Sequence, residues 1–371
     1  MESIFDSIEK PTLLLDEAAA RANIRRMAAR IKSAGVRFRP HFKTHQSAEI
    51  GEWFRDEGVN AITVSSLEMA QYFAAHGWED ITIAFPVNLR QSRELNDLAR
   101  QTHLGLLVES AEVVRRLAET LTAPVDLWLK VDVGAHRTGL PWDQPEAAAQ
   151  VLEAVWSAPP GSFRLRGLLT HAGFTYAARG ADEVCRSSSE SITRIEALRS
   201  ALARAGFGPL EISVGDTPAA SLCEIPGTVD ELRPGNFVFF DAQQVQIGSC
   251  GWQDVAVALA CPVVAKHPDR CQVVVYGGAV HLSKDYLVEG EQRSYGAVCL
   301  PEGSRWGAPL AGAYTASLSQ EHGVIQLSPA DLDRVQIGGL LCILPAHSCL
   351  TVTLMKRYLT LDGRTIDTMN V

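Results

Sequence analysis

The stretch VDLWLKVDVGAHRTG, residues 125–139, carries the pattern that decides the fold. Its first part, Val125–Val131, is mostly apolar on both faces, which is typical of a parallel strand that is covered on both sides. Its second part, Asp132–Gly139, changes abruptly to glycine and polar residues, as expected where a strand gives way to a loop. A buried strand is therefore followed directly by polar side chains that can take part in binding or catalysis.

Similar runs occur through the first two thirds of the chain. They are Val36–His41, Ala61–Val64, Ile81–Phe85, Leu104–Val108, Leu165–Thr170, Leu210–Val214 and Val229–Leu232. Amphipathic stretches such as Ala111–Leu121 and Glu183–Ala205 separate them and predict helices. Eight β-α units in about 200 residues predict an α/β fold with a closed (β/α)8 barrel. An open doubly wound sheet is disfavoured because no G-x-G-x-x-G turn follows the first strand.

The pattern changes near Gln253. Short runs rich in Val, Ile and Leu now alternate with Gly, Pro and Asp, which predicts antiparallel strands. These runs are Asp254–Val264, Gln272–Tyr276, Gly296–Cys299, Gly323–Leu327 and Leu340–Leu344, with Thr351–Leu361 continuing the pattern. We expect the barrel over residues 11–250 and a second, mostly antiparallel β domain over residues 251–371 together with residues 1–10.

The composition is that of a globular protein. The 371 residues are 46% hydrophobic and 21% charged, which excludes disordered, collagen-like and coiled-coil chains. A net charge of -9 disfavours nucleic acid and anionic membranes as partners. There is no apolar run of membrane-spanning length and no basic stretch with an apolar core at the start. We expect a cytoplasmic protein, and eight scattered cysteines without a C-x-x-C pair predict reduced thiols.

Polar groups gather where the predicted strands end. In a barrel the carboxyl ends of the strands share one rim, and catalytic residues lie there. The runs at these ends are Pro40–His45, Asp132–Gly139, His171–Tyr176, Gly215–Pro218 and Arg233–Asn236. Their clustering predicts a functional site on that rim.

Lys43 is the first candidate of this rim. A lone lysine after a strand is ordinarily a solvated surface residue, but His41 and His45 lie within two residues of Lys43. A lysine that leaves bulk water can lose its proton and form a Schiff base. The turn Gly215–Thr217 offers backbone N–H groups and a hydroxyl ahead of a helix, an arrangement that can hold phosphate. An ordinary capped turn has the same sequence.

The other rim residues each allow two interpretations. Arg137 is a fixed cation for a phenolate or carboxylate, or else part of a surface ion pair. His171 and Tyr176 contact an aromatic cofactor, or else pack within their loop. Glu68 and Asp132 are expected to pair with such cations.

A different pair, His347 and Cys349, lies near the C-terminus. In a strand-like run the residues at i and i+2 point to the same face. Imidazole and thiolate together suit zinc, and two ligands leave positions open for water or substrate, as a Lewis acid requires. The competing interpretation is a buried cysteine beside a structural histidine.

Together these motifs resemble those of the fold-type III pyridoxal-phosphate enzymes, most closely the branch of D-threonine aldolase and D-serine dehydratase. The matching motifs are Pro40–His45, Val131–Gly139, Leu232–Phe237, Glu321–Gly323 and Pro345–Cys349, and they span nearly the whole chain in the expected order. The lysine motif with the His-x-Cys pair is specific to that branch, whereas the glycine-rich motifs are shared with alanine racemases.

The resemblance implies pyridoxal 5'-phosphate bound to Lys43, which is also the expected catalytic residue. The implied cofactor-binding residues are Lys43, Arg137, His171, Tyr176, Gly215, Thr217, Gly235 and Asn236. Arg137 would lie against the phenolic oxygen of the cofactor, and the last four would surround its phosphate. Arg233 occupies the position where alanine racemases keep a partner for the pyridine nitrogen. His347 and Cys349 would bind a divalent metal, with zinc expected and magnesium or manganese as alternatives, and a homodimer is implied.

The resemblance also implies a lyase that dehydrates and deaminates a D-3-hydroxy amino acid, with D-serine expected to give pyruvate and ammonia. Aldolases of this branch tend to carry His-x-Asp where the dehydratases carry His-x-Cys, so Cys349 favours elimination. The alternative is retro-aldol cleavage of D-threonine or another D-3-hydroxy amino acid to glycine and an aldehyde. A non-catalytic carrier of pyridoxal phosphate is a further alternative, which the second domain disfavours.

Overall fold

The computed structural model of the chain describes residues 3–369. They fall into two units. The barrel unit comprises Arg26–Lys43 and Phe54–Gly235, and the β unit comprises the described residues up to Arg25, Thr44–Trp53 and those from Asn236 onward. The predicted domain limits stay predictions, and residues 1, 2, 370 and 371 within them lie outside the described part.

The apolar runs of the first two thirds form a parallel sheet in the barrel unit. Numbered along the whole chain, its strands are β2 (Arg37–Phe38), β3 (Ala61–Val64), β4 (Asp80–Pro86), β5 (His103–Val108), β6 (Val125–Asp132), β7 (Leu140–Pro141), β8 (Phe163–Leu169), β9 (Glu211–Val214) and β10 (Glu231–Leu232). They follow the order β2-β10-β9-β8-β6-β5-β4-β3, with β7 attached to β6. A parallel bridge between His41 and Thr63 joins the first strand of this order to the last. The predicted α/β barrel is confirmed in a nearly closed form.

Burial explains why these runs are strands. All four residues of β3 and the first seven of β6 are buried, so neither face is left to water. The helices of the chain are α1 (Glu17–Ser33), α2 (Ala48–Arg55), α3 (Leu67–Ala75), α4 (Ser92–Ala99), α5 (Ala111–Thr120), α6 (Pro145–Trp156), α7 (Ala181–Arg204), α8 (Thr217–Leu222), α9 (Ala242–Ile247), α10 (Ala279–Leu282), α11 (Pro329–Arg334) and α12 (Ser348–Met355).

Short capped turns connect the barrel strands to their helices. Ser66 follows β3 and caps α3, Ser110 follows β5 and caps α5, and Asp216 follows β9 and caps α8. Each side chain accepts a hydrogen bond from a backbone N–H of the first helical turn, which stabilises the helix start. These three loops on the rim are therefore short and fixed at the start of the following helix.

The β unit contains the strands of one main sheet and of two small, two-stranded sheets. Its strands are β1 (Thr12–Leu15), β11 (Val257–His267), β12 (Gln272–Tyr276), β13 (Leu287–Glu289), β14 (Gln292–Ser294), β15 (Gly296–Cys299), β16 (Pro301–Glu302), β17 (Arg305–Trp306), β18 (Tyr314–Leu318), β19 (His322–Gln326), β20 (Leu340–Pro345), β21 (Arg357–Thr360) and β22 (Thr365–Asp367). The main sheet has the order β12-β19-β18-β15-β20-β11-β1-β21-β22. Its pairings are antiparallel except for β1 with β21, so the mostly antiparallel second domain is confirmed.

One expected strand is wrong. The run Thr351–Leu361 begins inside α12 and becomes strand β21 only at Arg357. The hydroxyls of Thr351 and Thr353 donate to carbonyls four residues back, which suits a helix. Because this helix is apolar nearly all round, its sequence cannot be distinguished from a buried strand by periodicity.

The expectation of reduced thiols is also wrong for two cysteines. Cys185 of α7 and Cys223, the residue that ends α8, form a disulfide with their Cα atoms 5.2 Å apart. They are 38 residues apart in the sequence, and the packing of α7 against α8 brings them together. The remaining cysteines, at positions 250, 261, 271, 299, 342 and 349, form no disulfide. Within the described residues, the helices are too short or too polar to cross a membrane.

Candidate active site

The backbone before Lys43 is held on both edges. The N–H of His41 donates to the Pro234 carbonyl at 2.9 Å, and the N–H of Phe42 donates to the Thr63 carbonyl at 2.9 Å. Pro234 follows β10, and Thr63 belongs to β3. Lys43 therefore follows directly after the point where backbone hydrogen bonds join the first and last strands of the barrel.

Phe42 anchors the same point through packing. Its side chain is fully buried, with ring centroids 4.9 Å from those of Phe54 and Phe73 and 5.0 Å from that of Trp78. Tilted and edge-on aromatic contacts of this kind add to the free energy of burying the rings. The residue directly before Lys43 is thus immobilised by the hydrophobic core.

Arg39 begins a buried network of charges in the barrel. Its Nε donates to Glu231 Oε2 at 2.7 Å, and its two Nη atoms donate to the Asp80 carboxylate at 2.7 and 3.0 Å. The Ser213 hydroxyl donates to Glu231 Oε1 at 2.8 Å and accepts from Arg233 Nε at 2.7 Å. Glu231 therefore compensates two buried guanidinium groups.

The pKa shifts agree with this role of Glu231. Burial raises the pKa of Glu231, but Arg39, Ser213 and Arg233 outweigh it and hold the pKa below its ordinary value of 4.5. Burial lowers the pKa of Arg233 to about 10, with Glu231 opposing the shift. Glu231 is ionised at neutral pH. Its carboxylate balances the charges of Arg39 and Arg233, which are buried away from water.

His171 lies on the rim near two of the predicted cations. Its Nδ1 is 2.7 Å from the Gly215 carbonyl oxygen. Burial lowers the pKa of His171 to about 3, and the positive charges of Lys43, Arg233 and Arg137 add to this effect. The structure thus brings Lys43, Arg137 and a neutral His171 together.

The turn after β9 has the features of a phosphate cradle. A Cβ added to Gly215 would lie 2.5 Å from the backbone nitrogen of Arg233, so only glycine permits this close approach of the two chains. Thr217 opens α8, and its N–H donates to the Tyr176 hydroxyl at 3.5 Å. Gly235 comes two residues after Arg233. The backbone N–H groups of this turn are donors of the type that a phosphate group accepts.

The loop that carries Arg137 is preorganised. Oδ1 of Asp132 accepts the N–H groups of Gly134, Ala135 and His136 at 2.9, 2.8 and 3.1 Å. Arg137 itself is exposed. Asp132 therefore binds the backbone of its own loop, and its Oδ2 also lies 3.3 Å from Nδ1 of His136 in that loop. The expected pairing of Asp132 with a cation of the rim stays a prediction.

The same expectation is wrong for Glu68. Its Oε1 accepts a hydrogen bond from Gln91 Nε2 at 2.8 Å. Its backbone and side-chain hydrogen bonds lower the pKa of the carboxyl, led by its own N–H. Glu68 is thus held by neutral donors.

His347 and Cys349 lie at the start of a helix. β20 ends at Pro345, His347 is the N-cap residue of α12, and Cys349 is the second helical residue. The prediction that the pair shares one face of a strand is wrong, because the chain turns into α12 directly after His347. The helical turn still brings the two side chains into electrostatic and hydrogen-bonding contact.

Asp241 organises this pair. Its Oδ2 is 3.0 Å from His347 Nδ1, accepts the Ser348 N–H at 3.0 Å and accepts Asn236 Nδ2 at 2.7 Å. Burial alone lowers the pKa of His347, but Cys349 and Asp241 raise it well above its ordinary value. The Asp241 carboxylate lies within ion-pair distance of Nδ1, which makes no hydrogen bond among the described residues. This placement leaves Nε2 for another partner, as in metal-binding histidines.

Asn236 is predicted to contact the cofactor phosphate, and its side chain is engaged elsewhere. Its Nδ2 donates to Asp241 and to the Ser348 hydroxyl at 2.9 Å. Its Oδ1 has no hydrogen-bond partner among the described residues, and an amide oxygen cannot donate to a phosphate. A phosphate contact from Asn236 would therefore come from its backbone N–H.

The residues that follow Lys43 are bound to other parts of the β unit. The Thr44 hydroxyl lies 3.3 Å from Cys349 Sγ. The Tyr358 hydroxyl donates to the His45 carbonyl at 2.7 Å. Burial lowers the pKa of His45 to about 3, so this imidazole is neutral.

A metal with two protein ligands fits the His347–Cys349 pair. Among residues 3–369, no group of three or more His, Cys, Asp and Glu side chains is placed to hold a metal ion, so a closed structural site is absent from this part of the chain. A nitrogen and a sulfur ligand suit zinc. The remaining coordination positions would stay open to water or substrate.

Sequence reasoning missed four polar residues that support the site: Glu231, Lys130, Asp241 and Thr44. Lys130 lies near the end of the largely apolar run of β6, which also contains Asp126, and burial lowers its pKa to about 8 with help from Arg233 and Arg137. A lysine within a buried strand is a signal that sequence can show. Asp241 and Thr44 have no such signal, because their partners are distant in the chain.

Two family models match consecutive parts of the chain. Residues 15–243 match "Alanine racemase, N-terminal domain", and residues 256–361 match "Putative serine dehydratase domain". Together they cover most of both units.

Curated relatives cover nearly the full length. The chain is 30% identical to the D-threo-3-hydroxyaspartate dehydratase of Delftia sp. (strain HT23), covering 98% of this chain and 97% of that protein. It is 27% identical to the D-serine dehydratase of Dictyostelium discoideum, with coverage of 95% and 93%. It is also 27% identical to the D-threonine aldolase of Arthrobacter sp., with coverage of 92% and 86%.

A solved structure agrees closely with the fold. A cysteine-to-alanine mutant of D-threo-3-hydroxyaspartate dehydratase in the metal-free form has a TM-score of 0.90 and 28% identity, with 100% of each chain covered.

The buried charge network generates the first prediction. We expect Glu231→Gln to lower the free energy of unfolding by about 3–5 kcal/mol, because Arg39 and Arg233 lose the charge that compensates them. The control is Glu211→Gln, since Glu211 pairs with Arg37 and Arg166 in a more exposed place and should cost at most about 1 kcal/mol. Urea unfolding at pH 7 measures both.

The same variant has a distinct pH signature. Because the folded-state pKa of Glu231 lies below 4.5, its stabilising effect is complete above that pH and is lost as the pH falls through the folded pKa. The wild type should therefore lose stability more steeply than Glu231→Gln below pH 4.5. Parallel stability curves for the two proteins would contradict this assignment.

Proposed function

Because this chain belongs to the fold-type III pyridoxal-phosphate enzymes, in the branch that joins an alanine racemase N-terminal domain to a serine dehydratase domain, we propose that it eliminates water from a D-3-hydroxy amino acid. The named relatives are dehydratases and aldolases, which are lyases. D-serine is the simplest substrate of this class and would yield pyruvate and ammonia.

The barrel unit would hold the cofactor. Lys43 would carry pyridoxal phosphate, whose conjugated ring withdraws electrons from the substrate's Cα when the substrate amine is bound to it. Arg137 would bind the phenolic oxygen. The residues proposed around the phosphate are Gly215, Thr217, Gly235 and Asn236, with His171 and Tyr176 as further cofactor contacts. The glycine-permitted approach at Gly215 and the neutral His171 bonded to its carbonyl support this assignment.

Lys43 would also move the proton. As a free amine beside the bound substrate, Lys43 would take the proton from Cα. The backbone bonds of His41 and Phe42 and the aromatic contacts of Phe42 limit the positions that this amine can reach. Such positioning lowers the entropic part of the barrier.

The β unit would hold the metal. His347 and Cys349 would be its protein ligands, with zinc proposed first and magnesium or manganese as alternatives, and the metal would supply Lewis acidity toward the β-hydroxyl. Asp241 would keep the imidazole in orientation through Nδ1. The Asp241–His347–Cys349 arrangement is the observation that carries the proposal, because an imidazole and a thiol beside a carboxylate suit a metal site with open positions.

Retro-aldol cleavage to glycine and an aldehyde is the second candidate. It is favoured by the likeness to the D-threonine aldolase of Arthrobacter sp.. Cys349 in place of the aspartate that the aldolases tend to carry favours elimination. A thiolate and an imidazole bind zinc tightly, which suits the departure of the hydroxyl.

We further propose a homodimer that works in the cytoplasm and has neither nucleic acid nor membranes as partners. The negative net charge of -9 supports the exclusion of both polyanions. Six cysteines that form no disulfide support a reducing compartment, whereas the Cys185–Cys223 disulfide is uncommon in one.

The proposal is tested with D-serine and the loaded enzyme. We expect pyruvate and ammonia in equal amounts and an absorbance band near about 420 nm from the Lys43–cofactor bond. Lys43→Ala should lose both. Lys32→Ala, which removes a lysine from an exposed helical position, should keep both. Retention of the band and of pyruvate formation by Lys43→Ala would contradict the assignment.

Asp241 provides a test that does not require turnover. We expect Asp241→Asn to weaken zinc binding about 10- to 100-fold, because an amide holds the His347 ring less firmly than a carboxylate does. Competition with a chromophoric chelator measures the affinity. The control is Asp367→Asn, which removes an exposed ion pair with Arg357 in the same unit. Equal zinc affinities for the two variants would refute the role of Asp241.

A further inference from the structure

A cavity of about 230 Å³ opens beside His347 in the β unit. Its lining consists of Gln243, Lys284, Asp285, Tyr286, Ala346 and His347. The cavity shares His347 with the proposed metal site, and the proposed function gives its other five residues no role.

The position of the cavity beside His347 indicates which part of the substrate it can receive, provided that the proposed function holds. If the metal on His347 and Cys349 binds the β-hydroxyl, a second substituent on Cβ begins only two bonds from that oxygen. The cavity lies at the same imidazole, so it can receive that substituent. D-serine has only hydrogen there and would leave the cavity to water.

The cavity offers two polar side chains that can bind a carboxylate. Lys284 is exposed, and within the described residues its ammonium makes no hydrogen bond or ion pair. Gln243 lies on α9, and its backbone N–H donates to the Ala346 carbonyl at 3.1 Å, which fixes it beside His347. An ammonium and a side-chain amide together supply a charge and several N–H donors.

The wall that carries Lys284 is held firmly. Ser283 is buried and has φ 68 and ψ -167, a backbone conformation that non-glycine residues adopt only when their surroundings impose it. Its hydroxyl donates to Asp285 Oδ2 at 3.1 Å and accepts the Asp285 N–H at 3.1 Å. The Thr351 hydroxyl of α12 donates to the Leu282 carbonyl at 3.2 Å. Lys284 therefore projects from a loop that is tied to the helix of Cys349.

The two other polar residues of the wall have partners of their own. Asp285 is the acidic group of the lining, and its carboxylate is engaged by the Ser283 hydroxyl. The Tyr286 ring lies under the guanidinium of Arg293, with 4.8 Å from Arg293 Cζ to the ring centroid. Arg293 adds positive charge to this edge of the β unit. The free donors and the nearby charge both favour an anionic group.

We propose that Lys284 and Gln243 form a specificity site for a carboxylate on Cβ, so that the enzyme prefers D-3-hydroxy dicarboxylic amino acids over D-serine. Lys284 supplies the charge, Gln243 supplies a neutral donor, and Tyr286 forms the wall. Lys284 acts on substrate choice and takes no part in proton transfer.

Binding of unreactive ligands tests this site. D-aspartate carries the Cβ carboxylate and lacks the hydroxyl, and D-alanine lacks both. Isothermal titration of the enzyme loaded with pyridoxal phosphate and zinc gives the affinity ratio of the two ligands. We expect the wild type to favour D-aspartate and Lys284→Gln to lower the ratio roughly 10- to 100-fold, as for loss of a charged hydrogen bond. Lys284→Arg should retain the ratio, and Lys32→Gln, which removes an equal charge from an exposed helix, should leave it unchanged.

Two results would overturn the inference: a wild-type ratio near one, or the same ratio in Lys284→Gln and the wild type. A fall in Lys32→Gln as large as in Lys284→Gln would also overturn it, because net charge would then explain the effect. Pyruvate formation from D-serine by the same preparations reports separately on the proposed function. Failure of the specificity site and failure of the lyase assignment are thereby distinguished.

Discussion

The closure of the barrel at Arg39–Phe42 is the constraint on which the site depends. On one side Arg39 enters the barrel and meets Glu231 at 2.7 Å, and on the other side Phe42 is buried among aromatic rings. Loss of either contact would lower the stability of the fold, because the first loss would leave an unpaired buried charge and the second would leave a cavity. The backbone that delivers Lys43 is fixed as a result, although the Lys43 side chain itself is exposed.

Asp241 imposes a comparable order on the β unit. A single carboxylate oxygen contacts His347 and Asn236 and receives the first N–H of α12. The start of the helix, the orientation of the imidazole and the position of Cys349 are thus coupled. The other oxygen of the same carboxylate accepts the Gln244 N–H and caps α9, so Asp241 fixes the starts of two helices.

Sequence predicted the parts of the molecule that local pattern determines. Strands apolar on both faces, such as Val125–Val131, could be placed because parallel strands buried on both sides have few alternatives. The Lys43 and Gly215–Thr217 motifs could be placed because they follow such strands. The His347–Cys349 pair was identified, but its strand geometry was wrong, since an apolar helix and a buried strand look alike over eight residues.

The supporting residues could not be predicted in the same way. Glu231 is 192 residues from Arg39, and Ser348 is 107 residues from Asp241. The Cys185–Cys223 disulfide likewise depends on how α7 and α8 pack. Each partner looks like an ordinary polar residue or cysteine in its own segment. Only the folded chain shows which of them meet, and the cavity beside His347 arises in the same way.

According to the proposed function, the chain eliminates water from its substrate and leaves the Cα–Cβ bond intact. D-threonine distinguishes the two candidate reactions, because it carries the 3-hydroxy group that both of them require. The measurement is the set of products that the enzyme loaded with pyridoxal phosphate and zinc forms from it. We predict 2-oxobutanoate and ammonia in equal amounts, without glycine. Glycine and acetaldehyde in equal amounts, without a 2-oxo acid, would contradict it.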